Sequence, residues 1–305
     1  MALTIQVAAE NWLFNLETRK RRPAKAATIQ VFSSYVRNHI SLLGHLPVQT
    51  VDNAVLRDFV GQLSKSLAPK TVCEVTNAVK QIVASVVDSS GSQVYPRVWN
   101  ADFIDAPMVQ GQRQPIVSSE EIEQAMRESG ECDRILYALA SGTGARIGEL
   151  LALRIGPSDA SSHWNPGEAC LTIRTSLWRG LEQAPKTINA IRTIEIVEPL
   201  NDLLKSFSRT RTGFLFGNGM TAPKESTLRS HLAARLPGKS FHSFRRYRAR
   251  HLRSAVPQVP EEITRYFLGH SNKSDMTSRY SQLGSDANRR RNEVNRVGLG
   301  FDLPQ

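Results

Sequence analysis

Apolar residues recur at helical intervals through the N-terminal part of the chain. Ile5, Ala8, Ala9, Trp12 and Leu16 fall on one stripe over 4–18, and Ile29, Phe32, Val36 and Ile40 on another over 26–43, where Gly44 ends the pattern. Two further helices are predicted over 51–63 and 69–87. The second carries Val72, Val75, Val79, Ile82 and Val86 on one face and Pro69 in its first turn. These four make a helical domain over 1–92, closed by Ser89-Ser90-Gly91-Ser92. Residues 93–117 bear Pro, Gln and Gly with little periodicity and are expected to form an extended interdomain linker.

The pattern changes after position 117. Ser118 with Glu121 reads as a capping box that opens a second domain, 118–305, with helices to Glu128 and over 134–140. Residues 169–177 and 191–197 alternate as strands do, with a hairpin between them that carries Lys186. Helices follow at 199–207 and 225–236, on either side of a strand-like Gly-Phe-Leu-Phe, and then at 242–255 and 260–268, with Gly269 as the C-cap. Short helices at the end carry Tyr280 and the run Arg289-Arg290-Arg291. The fold class expected is mainly α with a small antiparallel sheet in the second domain.

Composition narrows the class of partner. The chain has 305 residues, 40% hydrophobic and 22% charged, which are globular proportions for two domains. The formal charge of +11 is spread over both halves and favours a polyanion, nucleic acid before membrane surface. Arg19, Lys20, Arg21, Arg22 and Lys25 form one basic run, and Lys70 and Arg246 are further candidates for DNA contact. Cys73, Cys132 and Cys170 lie far apart with no C-x-x-C, which argues against a disulfide framework or zinc site and for a reducing cytoplasm. No apolar leader and no membrane-length apolar run stands out.

Candidate chemistry gathers late in the chain. His242 and Arg245 are three apart at the start of a helix and so share a face, and His270 and Tyr280 follow. Two imidazoles, a guanidinium and a phenol suit a phosphate that is held, attacked and released. No Asp or Glu recurs at ligand spacing with the histidines, so no metal is expected. Earlier, Gly142 and Gly144 permit a tight turn that delivers Arg146 to the start of a helix.

Taken together, Arg146 in G-T-G-A-R-I-G-E-L, Lys186 in P-K-T, H-S-F-R at 242–245, L-G-H at 268–270 and Tyr280 resemble the tyrosine site-specific recombinase (phage integrase) family. The resemblance covers nearly the whole chain and rests on six positions falling in order. It implies a SAM-like core-binding domain over 1–92 and a catalytic domain over 118–305, closing as two lobes around duplex DNA. By the same resemblance Tyr280 is the nucleophile and Arg146 and Arg245 grip the scissile phosphate. Lys186 is the general acid for the 5′ oxygen, His242 assists proton transfer, His270 hydrogen-bonds the phosphate and Glu149 orients the site. Arg179 and Arg192 are rivals for the place of Lys186, and His270 stands ten residues before Tyr280 where many members have nine. No cofactor, metal or ATP is implied.

The partners implied are double-stranded DNA and three further copies in a tetramer, with a C-terminal element in 285–305 docking onto a neighbour and possible accessory DNA-bending or directionality factors. A cytoplasmic, nucleoid-associated mobile-element integrase is the expectation. A Xer-type resolution recombinase, a type IB topoisomerase-like enzyme and a non-catalytic architectural DNA-binding protein stay open.

Overall fold

The computed structural model describes residues 2–304 except 22, 112–113, 185–190 and 270–285. The chain divides into two compact units, Met1–Arg113 and Gln114–Gln305.

The first unit is built on α1 (Ile5–Thr18), α2 (Ala26–Asn38), α3 (Asn53–Leu63) and α4 (Pro69–Ala84). The expected stripes are the buried ones: Ile5, Ala8, Ala9 and Trp12 on α1, and Val72, Val75, Val79 and Ile82 on α4. Each such branched side chain removed from water is worth roughly 2 kcal/mol. Asp52 caps α3 by accepting from the Ala54 and Val55 N–H groups, both at 3.0 Å. The helix expected over 26–43 breaks at His39 and resumes as a 3-10 turn, Ile40–Leu43. Three residues per turn put Ile40 and Leu43 on the same buried side.

The stretch expected to be a linker, 93–117, is in large part tied down. The Arg97 guanidinium donates to Val51 O and Gln49 O, the Asn100 N–H donates to Asn53 Oδ1, and a short α5 (Ala101–Ile104) buries Ile104 against α3. At its far end Lys239 and Arg246 donate to Ile116 O and Pro115 O, and Val117 is buried in the second unit. Polar side chains elsewhere in each unit thus satisfy a backbone that has no ladder of its own.

In the second unit α6 (Ser119–Arg127) carries the expected capping box, Ser118 Oγ accepting from Glu121 N and Glu121 Oε2 from Ser118 N. Next, α7 (Glu131–Thr143) is longer than expected because Gly130 caps it and Glu131 and Asp133 favour its first turn. It is buried all round from Ile135 to Thr143. Gly142 lies inside this helix, where a Cβ would come within 2.9 Å of Leu200 and Leu299, while Gly144 (φ 67°) makes the turn. The short α8 (Ile147–Leu151) follows.

The sheet is larger than the sequence showed. It runs β1 (Arg154–Ile155), β2 (His163–Asn165), β3 (Cys170–Ile173), β6 (Arg192–Glu195), with β1 and β2 parallel and the other pairs antiparallel. The single strand expected over 169–177 is two, β3 and β4 (Ser176–Trp178). At Arg174 and Thr175 the backbone N–H groups leave the ladder for Ser162 Oγ, at 2.9 and 2.8 Å. A separate hairpin pairs β4 with β5 (Leu181–Gln183) through Arg179 and Gly180, both at positive φ, the turn that suits the strand twist. Among the described residues the further helices are α9 (Glu198–Ser208), α10 (Glu225–Arg235), α11 (Phe241–Ser254), α12 (Glu261–Leu268) and α13 (Ala287–Val297). Phe241 and Phe244 of α11 pack on Tyr137 of α7, so α11 leans on the most buried helix of the unit.

Candidate active site

Arg146 is the N-cap of α8, placed there by the left-handed turn at Gly144. Three residues on, Glu149 reaches back. Its Oε2 accepts from the Arg146 backbone N–H at 2.9 Å and its Oε1 from Arg146 Nη1 at 2.9 Å. The Arg146 side chain stays 44% exposed while Glu149 is buried, so the carboxylate steadies an arginine that solvent can still reach.

A second arginine closes the other side of that carboxylate. Arg192, on β6, gives Nη2 to Glu149 Oε2 at 2.8 Å and Nη1 to Oε1 at 3.2 Å, with no exposed side-chain surface. Burial alone would raise the Glu149 carboxyl; the Arg192 charge and its hydrogen bonds, helped by Arg146, hold it down to about 2.

His242 and Arg245 stand one turn apart on α11, as expected. Arg245 is buried, with Nη1 donating to Gly144 O at 2.8 Å and Nη2 to Leu268 O. Burial and the neighbouring Arg146 push its guanidinium down to about 9, so it remains charged at neutral pH. Desolvation, then the charges of Arg246, Arg245 and Arg146, lower the His242 imidazole below its ordinary value. A neutral ring is therefore the resident form at pH 7, able to accept or relay a proton.

The described residues thus bring Arg146, Glu149, His242 and Arg245 together from α8 and α11. One of these, Arg245, meets the end of α12 at Leu268, next to Gly269, whose φ of 57° is the expected C-cap. Lys186, His270, Tyr280 and Arg22 lie outside the described residues. Arg192, one of the rivals for the lysine's place, is a buried partner of Glu149; Arg179 is exposed at the β4–β5 turn beside Trp178. The sequence held one sign of Arg192's position, a charged residue on the same beat as Ile194 and Ile196 of the strand. Its partner was not readable.

Elsewhere, Arg19, Lys20 and Arg21 are exposed between α1 and α2, Lys25 is the half-buried N-cap of α2, and Lys70 is exposed in the first turn of α4, 4.0 Å from Glu74. Arg246 is half-buried with Nη1 on Pro115 O. Among the described residues no cluster of His, Cys, Asp and Glu could hold a metal ion, and no helix is long and apolar enough to cross a membrane.

This mainly helical chain has the fold of the tyrosine recombinases and integrases, and its resemblance to that family is borne out. A protein described as tyrosine recombinase XerC-like, from Caldanaerobacter subterraneus subsp. tengcongensis, is 24% identical over 316 residues, covering 92% of this chain and 80% of the relative. The Tn1549 transposon integrase in complex with circular intermediate DNA matches with a TM-score of 0.69 at 15% identity, over 97% of this chain and 100% of that one. A lambda integrase dimer bound to a COC′ core site matches with a TM-score of 0.62 at 16% identity, over 94% and 97%. No family model matches the chain.

Proposed function

We propose that the chain is a site-specific DNA recombinase that cuts and rejoins strands through a 3′-phosphotyrosyl intermediate. The observation that carries this is the convergence of Arg146, Arg245 and His242 on one electropositive spot, with Glu149 holding Arg146. Guanidinium groups that stay charged match a phosphoryl group and stabilise the charge on its oxygens during in-line displacement.

In the proposed reaction the Tyr280 phenol oxygen attacks the scissile phosphorus. A P–O bond to tyrosine forms and the P–O bond to the 5′ oxygen breaks. The phenol proton, whose ordinary pKa is about 10, passes to a base such as neutral His242, and Lys186 gives a proton to the departing 5′ oxygen. His270 donates to the phosphate. The bond energy is kept in the phosphotyrosine, so attack by a 5′ hydroxyl reverses the step without ATP. Integration or excision of a mobile element fits the likeness to a transposon integrase, and dimer resolution fits the XerC-like relative. Four copies acting on two duplexes would supply the paired cuts either reaction needs; a neighbouring structure is a lambda integrase tetramer bound to a Holliday junction.

The test is covalent capture from a pool of nicked duplexes with randomised arms. An adduct that survives detergent, made by the wild type and absent with Tyr280→Phe, is the expected result. Specific DNA retention with no adduct from the wild type would sink the enzyme in favour of an architectural protein. Relaxation of plasmids regardless of sequence would point to a topoisomerase instead.

A further inference from the structure

We propose that Arg192 is a positioning residue of this site: from the β6 strand it fixes both the clamp formed by Glu149 with Arg146 and the turn at Phe267–Gly269 that leads into His270. The proposal rests on the recombinase reading above and adds a residue to it. Nothing in the six-position pattern that carries the resemblance includes this arginine.

Its guanidinium spans two elements. Nη1 and Nη2 take the two oxygens of Glu149 on α8, while Nε donates to Phe267 O at the end of α12, at 2.8 Å. Gly269 lies flat on the same group, since a Cβ there would sit 2.9 Å from Nη1 and 3.1 Å from Cζ. Arg245 ties the neighbouring points, Gly144 O before Arg146 and Leu268 O before Gly269. Two guanidinium groups therefore buckle the α7–α8 turn to the end of α12, and Arg192 is the one that also grips the clamp carboxylate. Its own backbone is set by the ladder, opposite Ile173 of β3.

Stability alone does not call for such a pair. A buried arginine–carboxylate pair is commonly no better than apolar residues of the same volume, although removing one member alone is costly. The planar fork is what the position uses: lysine offers a point charge and cannot serve α8 and α12 together. The groups facing Glu149 are Arg146 from its own helix, Arg192 from β6 and Arg245 from α11, with His242 beyond. Without Arg192 the carboxyl keeps its burial and loses its nearest cation. It would then take a proton at higher pH and cease to accept from both Arg146 groups.

The experiment compares wild type, Arg192→Met and Arg192→Lys on one duplex captured by the wild type, measuring adduct rate from pH 6 to 9, DNA affinity by anisotropy and thermal melting. For Arg192→Met we expect affinity within about 3-fold of wild type, and a rate lower by about 100-fold at pH 6 that narrows to about 10-fold at pH 9. Arg192→Lys keeps a cation by Glu149 but not the fork, so its deficit is about 10-fold and independent of pH. A deficit for Arg192→Met that is equal at every pH, or that only tracks the fraction of folded protein, overturns the proposal. If Arg192→Met does not fold, a natively melting Arg192→Lys with the wild-type rate overturns it. A wild type that forms no adduct sinks the recombinase reading, and this one with it.

Discussion

The helix α13 is tied to the sheet by a buried ion pair. Arg290 of α13 meets Glu195 of β6 in a buried pair, Nε at 3.1 and 3.0 Å from the two carboxylate oxygens and Nη2 at 2.6 Å from Oε1, with its guanidinium 4.3 Å above the Tyr266 ring. Apart from this pair α13 fully buries only Val294, worth roughly 2 kcal/mol, with Val297 half-buried beside the core, and an isolated helix of its length is marginal in water. The ion pair therefore decides whether the helix stays docked. Arg290→Met should strand a buried carboxylate and cost about 3–5 kcal/mol, about 10 °C of melting temperature for a domain of this size. The double variant Glu195→Leu, Arg290→Met removes both charges and should recover most of that loss. Circular-dichroism melts of the four proteins give the coupling energy, and hydrogen exchange over 287–297 reports whether α13 has let go. If the double variant melts no higher than the weaker single one, the pair is not what holds the helix.

Three further outcomes can be checked directly. The Glu149 carboxyl lies near 2, below an unfolded value of about 4.3, so its contribution is complete above that value and is lost as pH falls towards 2; it amounts to about 3 kcal/mol. Glu149→Gln should melt below wild type at pH 7, with the gap shrinking between pH 5 and 2, whereas a constant gap would refute the assignment. Gly148 sits against the β4–β5 hairpin, where a Cβ would come within 2.6 Å of Leu177 O and Ser176 Oγ. Gly148→Ala should therefore move the hairpin that leads to Lys186, slowing strand cleavage by tenfold or so with little change in DNA affinity. The double variant Lys20→Ala, Arg21→Ala should reduce the slope of log affinity against log salt by about 2, and an unchanged slope would remove these residues from the DNA surface.

The parts that were legible in the sequence are those set by local rules. The α4 stripe, the Ser118 capping box, Pro69 in a first turn and Gly269 as a left-handed cap follow from neighbours within four positions. The parts that were hidden depend on partners far along the chain. The break between β3 and β4 is made by Ser162. Arg97 ties one end of the segment expected to link the units to Gln49 and Val51 before α3, and Lys239 and Arg246, just before and on α11, hold its other end at Ile116 and Pro115. For the site, motif order gave Arg146, Glu149, His242 and Arg245 their shared neighbourhood. It gave no hint that Arg245 would be spent on two backbone carbonyls, or that Glu149 would serve two arginines. Both facts arise from burial, which forces every donor and acceptor to find a partner.

The same pressure bears on the tail. The family resemblance implies a C-terminal element that docks onto a neighbour, yet here the segment after α13 lies on its own unit. Arg248 donates to Gly298 O, the Tyr247 hydroxyl to Gly300 O at 2.7 Å, and Asp302 N to Glu123, while Phe301 packs on Tyr247. Deleting 293–305 to test docking would also strip Val294, Leu299 and Phe301 from this unit's core, so lost recombination would have two causes. Gly300 offers a cleaner handle. At φ 77° its Cβ would fall 2.4 Å from the His251 ring, a contact the stacked Tyr247 and His251 rings leave little room to relieve. Gly300→Val should therefore lift residues 298–304 while leaving α13 docked through Arg290. Limited proteolysis should then cut after position 297 at least tenfold faster than in wild type, a loss of local stability of about 1.4 kcal/mol or more. Equal cutting rates would mean that these contacts do not hold the tail in the free protein.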